Sequence, residues 1–182
     1  MDLNKNATGV KPAIAADPMN DVRLATARKR LLDSTNEEDA IEGLREIVAN
    51  LLGCEEIGLF KISPEGTQFS VCWSFGADLE NYDLLKVLGR SGRLCVMRGE
   101  CYMAFEDPDG SNGMAKTQAF VPIRVANQTV GILAILRLLP QKSAFDTHDM
   151  ELFKLLSEEG AGPLFGREPH LKNIPRQSGT KS

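Results

Sequence analysis

A chain of 182 residues with 42% hydrophobic and 25% charged residues is long enough for one core of roughly 120–150 residues plus tails. Its net charge of -4 lacks the basic footprint of a nucleic-acid-binding protein, and its longest apolar run, Val130 to Leu139, contains Arg137 and falls short of the ~20 residues a membrane span needs. With no signal-peptide-like apolar segment at the N-terminus and no Cys-x-x-Cys pair among Cys54, Cys72, Cys95 and Cys101, the expectation is a cytoplasmic, reduced protein without metal or nucleic acid.

Residues 1–19 mix Asn, Lys, Gly, Pro and Ala without periodicity and read as a flexible arm. A helix is expected from Asn20 to Asp33, where Leu24 with Leu31 and Ala25 with Leu32 repeat at seven residues. Such a short basic helix suits pairing with a second copy; lying on its own domain with a solvated basic face suits it equally. Ser34 with Glu37 and Thr35 with Glu38 form overlapping capping boxes. The helix they open carries Ile41, Leu44, Ile47, Val48, Leu51 and Leu52 on one stripe and ends at Gly53.

Glu56 to Ser63 reads as a strand, Pro64-Glu65-Gly66 as a turn, and Thr67 to Phe75 as a second strand. Phe69, Val71, Trp73 and Phe75 alternate with Ser70, Cys72 and Ser74, which suits a position near the sheet edge. A short helix or ordered crossover follows from Asp78 to Leu88, punctuated by Gly89 and Gly92. Leu94 to Arg98 form a further helical turn stopped at Gly99. Cys101 to Ala104 suits a short strand, and Phe105 to Lys116 a loop.

Thr117 to Leu138 has the pattern of a hairpin, two β-branched apolar runs around Ala126-Asn127-Gln128. In its second run Val130, Ile132, Ala134 and Leu136 point one way, and Leu133 and Ile135 the other. Both faces are apolar, so this strand belongs in the middle of a sheet covered on both sides. After a loop at Pro140 to Ala144, Asp146 or Thr147 caps a last helix carrying Met150, Leu152, Phe153, Leu155 and Leu156. Gly160, Gly162 and Pro163 end or kink it, and residues 167–182 read as a loose tail. The domain thus spans 20–166. It is α+β, an antiparallel sheet with the long terminal helices on one face and the crossover and loops on the other.

Several pieces of this order resemble a GAF domain, the PAS-related sensory module of signalling proteins. They are Leu32-Asp33-Ser34-Thr35 with Glu38-Asp39-Ala40, Leu51-Leu52-Gly53-Cys54, Val121-Pro122-Ile123 with Val130-Gly131-Ile132-Leu133, and Ala144-Phe145-Asp146 with His148-Asp149-Met150-Glu151-Leu152. The resemblance implies a sheet of about five or six strands, a ligand pocket between the sheet and residues 76–116, and dimer contacts through the helical face. The chain departs from particular members. Cys95 precedes Val96 and Cys101 precedes Tyr102, where bilin carriers have Cys-His. The cyclic-nucleotide signature Asn-Lys-Phe-Asp-Glu is absent. His148 and His170 are the only histidines, on a helix and a tail, which leaves no evident haem ligand or catalytic triad.

For ligand binding the expected set is Trp73, Phe75, Arg93, Cys95, Tyr102, Phe105 and Phe120. Its aromatic members, with Phe69, line a pocket or simply fill a core. Arg93, Arg98 and Arg124 suit an anionic ligand or a charged surface. Cys95 and Cys101, with Arg93 and Arg98 nearby, read either as a redox pair or as small buried hydrophobes. The glycine-flanked and lid cysteines of the free-methionine sulfoxide reductases built on this fold have no counterpart here. Asp107 to Ser111 opens like a calcium loop, but Asn112 and Gln118 stand at its glycine and glutamate positions, so a solvent-facing turn fits better. The resemblance implies a solitary, non-catalytic signalling domain that binds a small molecule or partner protein as a homodimer; its cofactor is unknown. The alternatives are a ligand-free dimerising module, a cysteine-based redox sensor, or an enzyme like that reductase.

Overall fold

The computed structural model describes residues 17–79, 84–103 and 117–166. The expected tail, the loop with Phe105 and residues 1–16 of the expected arm lie outside those residues, while Asp17, Pro18 and Met19, expected in the arm, cap and open the first helix. In chain order the elements are α1 (Pro18–Leu32), α2 (Glu37–Glu46), β1 (Cys54–Ile62), β2 (Phe69–Phe75), α3 (Leu84–Arg98), β3 (Tyr102–Met103), β4 (Ala119–Val125), β5 (Gln128–Leu138), α4 (Thr147–Glu159) and α5 (Ala161–Phe165). The expected α+β architecture is observed, with five antiparallel strands in the order β2-β1-β5-β4-β3. β5 is therefore central and β2 an edge. Among the described residues no helix is long and apolar enough to cross a membrane.

Two apolar layers sandwich the sheet. On one face Ala27 and Leu31 of α1, Leu44 of α2, Leu152, Phe153 and Leu156 of α4 and Leu164 of α5 pack against Ile57, Leu59, Val121, Leu133 and Ile135. On the other, Leu79 with Leu88 and Cys95 of α3 packs against Phe60, Phe120, Ile132 and Ala134. Neighbours in β5 thus feed opposite cores, which is the physical meaning of its unbroken apolar run.

Local chemistry sets the helix ends. Pro18 at the start of α1 has a fixed φ suited to a first turn, and Asp17 accepts the Met19 N–H at 3.0 Å. Neither expected capping box opens α2. Asn36 is its cap, accepting the Asp39 N–H at 2.9 Å, while Asp39 accepts from Thr35 N at 3.1 Å. Ser34 is already committed to α1, where its hydroxyl donates to Arg30 O at 3.1 Å. α2 then continues through a π turn at Ile47–Leu51 and leaves the helix at Gly53, with φ +65°. α4 has a reciprocal cap between Asp146 and Asp149.

Asp149 does more than cap. Its fully buried carboxylate meets Arg23 Nη2 and Lys142 Nζ, both at 2.7 Å, and Arg23 also donates to Leu51 O. This cluster joins α1, the end of α2 and the β5–α4 loop to the start of α4.

Two β-bulges alter the predicted faces. Leu59 pairs with Trp73 but Phe60 with Val71, so one extra residue, Cys72, turns Trp73 and Phe75 to the opposite face from Val71. Ile123 pairs with Gly131 but Arg124 with Thr129. This second bulge moves Val130 onto the α1–α2–α4 side, away from Ile132, Ala134 and Leu136.

Candidate functional site

The site is built on the second half of α3. The helix breaks at Gly89, whose φ of 53° and ψ of -154° are non-helical, and runs from Arg90 to Arg98. It stops at Gly99, φ +65°, where the Gly99 N–H closes on Cys95 O at 2.9 Å. Glycine suits this stop on two counts. Its φ is left-handed, and a Cβ would sit 3.2 Å from Arg124 Nε. The Thr129 hydroxyl donates to Val96 O at 3.1 Å. A hydroxyl and a guanidinium therefore attend the carbonyl end of α3, where the helix dipole favours positive charge.

Between this half of α3 and the segment leading into β3 lies a groove of about 380 Å³. α3 contributes Arg90, Ser91, Leu94, Cys95 and Arg98, and the following segment contributes Glu100, Cys101 and Tyr102. Its inner side combines the buried Ser91 with apolar groups. Cys95 is buried, and that burial pushes its thiol well above the ordinary cysteine range. The Tyr102 ring lies 6.1 Å from that of the fully buried Phe120. Its outer side is charged. Arg90, Arg98 and Glu100 are exposed, and none of the three forms an ion pair among the described residues. Such a groove can seat a small polar molecule and fix its charged groups.

The structure splits the expected ligand-binding set. Cys95 and Tyr102 line the groove with Arg98, and Phe120 lies beneath Tyr102. Arg93 is exposed but outside the lining. Trp73 and Phe75 are on the other face of the sheet because of the Cys72 bulge. Their rings stack there at 6.3 Å, and the Arg45 guanidinium lies 5.0 Å over Phe75. The expected grouping of Trp73 with Phe120 is thus corrected, since the sheet separates them. Phe105 falls outside the described residues. Arg90, Ser91 and Glu100 were not anticipated. The recurrence of Arg90, Leu94 and Arg98 at four-residue intervals was the available signal, once Gly89 is taken as a break and Gly92 as helical.

The GAF domain family model matches residues 36–161. Among solved structures, the GAF domain of an Acinetobacter phosphoenolpyruvate-protein phosphotransferase is similar with a TM-score of 0.56 and 18% identity, over 78% of this chain and 92% of that one. A methyl-accepting chemotaxis protein gives 0.55 and 16%, over 72% and 90%. A type II free methionine-R-sulfoxide reductase from Thermoplasma acidophilum gives 0.51 and 13%, over 78% and 94%. At these identities the likeness is one of fold. No curated protein sequence matches the chain.

Proposed function

Because the chain belongs to the GAF domain family, we propose that it is a cytoplasmic, non-catalytic signalling module that senses a small molecule. The observation that carries this is the α3–β3 groove, where Arg90 and Arg98, which form no ion pair among the described residues, stand beside Leu94 and the buried Ser91 and Cys95. None of the four cysteines is in a disulfide, which suits a reducing compartment. A ligand held against α3 presses on Phe120, Ile132 and Ala134. Their neighbours Val121, Leu133 and Ile135 contact α4 and the rest of the helical layer. Ligand-dependent shifts in α3 thus have a packed route to the far face, and a ligand that prefers one arrangement shifts the population towards it.

On that far face, Met19, Val22 and Leu32 of α1 are 77%, 63% and 49% exposed. They form the proposed contact with a second copy or a signalling partner. Native mass spectrometry of the purified protein tests both parts together. Retention of a compound and a subunit count of two support them; a bare monomer, with no thermal shift across metabolite pools, refutes them.

A second reading is favoured by one observation, the meeting of Cys95 and Cys101 in the same groove. Reduction of free methionine sulfoxide, abolished by Cys95→Ser, would replace the sensor reading with an enzymatic one.

A further inference from the structure

Arg90, Leu94 and Arg98 recur every four residues and therefore share a face of α3, and all three line the groove. The helix is uninterrupted between them, so a rise of ~1.5 Å per residue sets the two arginine backbones about 12 Å apart. Leu94 and the buried Cys95 occupy the interval. Neither guanidinium is engaged in an ion pair among the described residues. The groove thus has an arginine towards each end, with Ser91 beside the first and the apolar Leu94 and Cys95 in the middle.

We propose that its ligand is a small elongated dianion, with an anionic group at either end and an apolar centre, of the α,ω-dicarboxylate class. This rests on the small-molecule reading above and adds the chemistry of recognition. A guanidinium presents paired N–H donors that match a carboxylate. Two such forks carried on backbones about 12 Å apart favour length as well as charge, because a short ligand reaches only one of them. Glu100, at the Arg98 end, opposes an anion there and moderates affinity. The groove volume is near the lower end for small-molecule sites, in keeping with a compact ligand.

Calorimetric titration of the full chain with malonate, glutarate, pimelate and azelate, beside butyrate and hexanoate, tests the proposal. One dicarboxylate length should bind best, and the monocarboxylates at least ~10-fold more weakly. Arg90→Gln and Arg98→Gln, on exposed side chains, should each weaken that binding roughly 10-fold. Glu100→Gln should strengthen it. Binding with no length preference, absence of dicarboxylate binding, or indifference to both arginine variants overturns the proposal. Leu94→Trp, which fills the groove, separates the two levels. A neutral compound whose binding Leu94→Trp abolishes, with the dicarboxylates ignored, refutes the dianion class while the groove remains a binding site. Dicarboxylate binding untouched by Leu94→Trp refutes the groove as well.

Discussion

Asp149→Asn should cost more stability than its near-isosteric change suggests. The carboxylate is fully buried and faces Arg23 and Lys142, each at 2.7 Å, with side-chain exposures of 19% and 21%. It also accepts the Asp146 N–H at 2.9 Å. An amide keeps the shape but leaves both cations without their counter-charge. Removing one partner of a buried pair costs about 3–5 kcal/mol. The two cations retain some contact with water, which places the expected loss near the lower end, about 3 kcal/mol. Against a total of roughly 5–15 kcal/mol, that is a large share, and it lowers Tm by about 6–12 °C in a chain of this size. Urea unfolding followed by the fluorescence of Trp73, the only tryptophan, measures it. In the double variant Arg23→Met with Asp149→Asn, the loss should be smaller than the sum of the two single losses. Arg28→Gln breaks a pair with Glu159 that lies in water and should change Tm far less. A loss below about 1 kcal/mol for Asp149→Asn would refute the claim that this cluster pins the helical layer.

At the hairpin tip Ala126 has φ 51°, a left-handed conformation that disfavours a Cβ, so Ala126→Gly should gain about 0.5–1 kcal/mol after glycine's extra chain entropy; a fall in Tm contradicts the turn. Three carboxyls are held below their usual range. For Glu159 the cause is the Arg28 side-chain hydrogen bond. For Asp39 it is the Thr35 N–H first, then Arg30. For Asp146, burial acts upward but the N–H groups of Asp149 and His148 outweigh it. A group depressed in the folded state stabilises fully above its unfolded value and loses that contribution as pH falls through the folded one. Tm should therefore hold between about pH 5 and 7 and fall below about pH 4, and a level Tm down to about pH 2 contradicts the assignment. Burial pushes the Cys54 thiol up to about 12 and raises that of Cys95, so iodoacetamide should label both only on unfolding. Prompt labelling of either in the native protein refutes their placement.

What was legible in the sequence was local. The hairpin, the stripe of α2 and the Asp146 cap depend on residues within a few positions of one another, and they formed as read. The bulges at Cys72 and Val130 were not legible, because alternation records only one strand while a bulge is a mismatch with its partner. That one-residue offset sent Trp73 and Phe75 to the wrong side of the expected pocket. Competition decided the start of α2. Ser34 and Thr35 satisfy the capping pattern, but α1 continues far enough to engage Ser34, and Asn36 takes the role. The weight on Asp149 comes from Arg23 and Lys142 in separate elements, beyond the reach of any local pattern. Half of the groove was visible, since cysteine and tyrosine attract notice. Its arginines lie on a helix whose two glycines made it look like fragments.

The central claim is that β5 is covered on both faces, the arrangement that puts the groove on one side and the helical relay on the other. Ile132 and Leu133 are adjacent, fully buried, and belong to the α3-side and helical-layer cores respectively. Urea unfolding of Ile132→Ala beside Leu133→Ala should show each losing about 2–5 kcal/mol. A full loss at one position with little change at the other would leave one face of the strand in water and contradict the account.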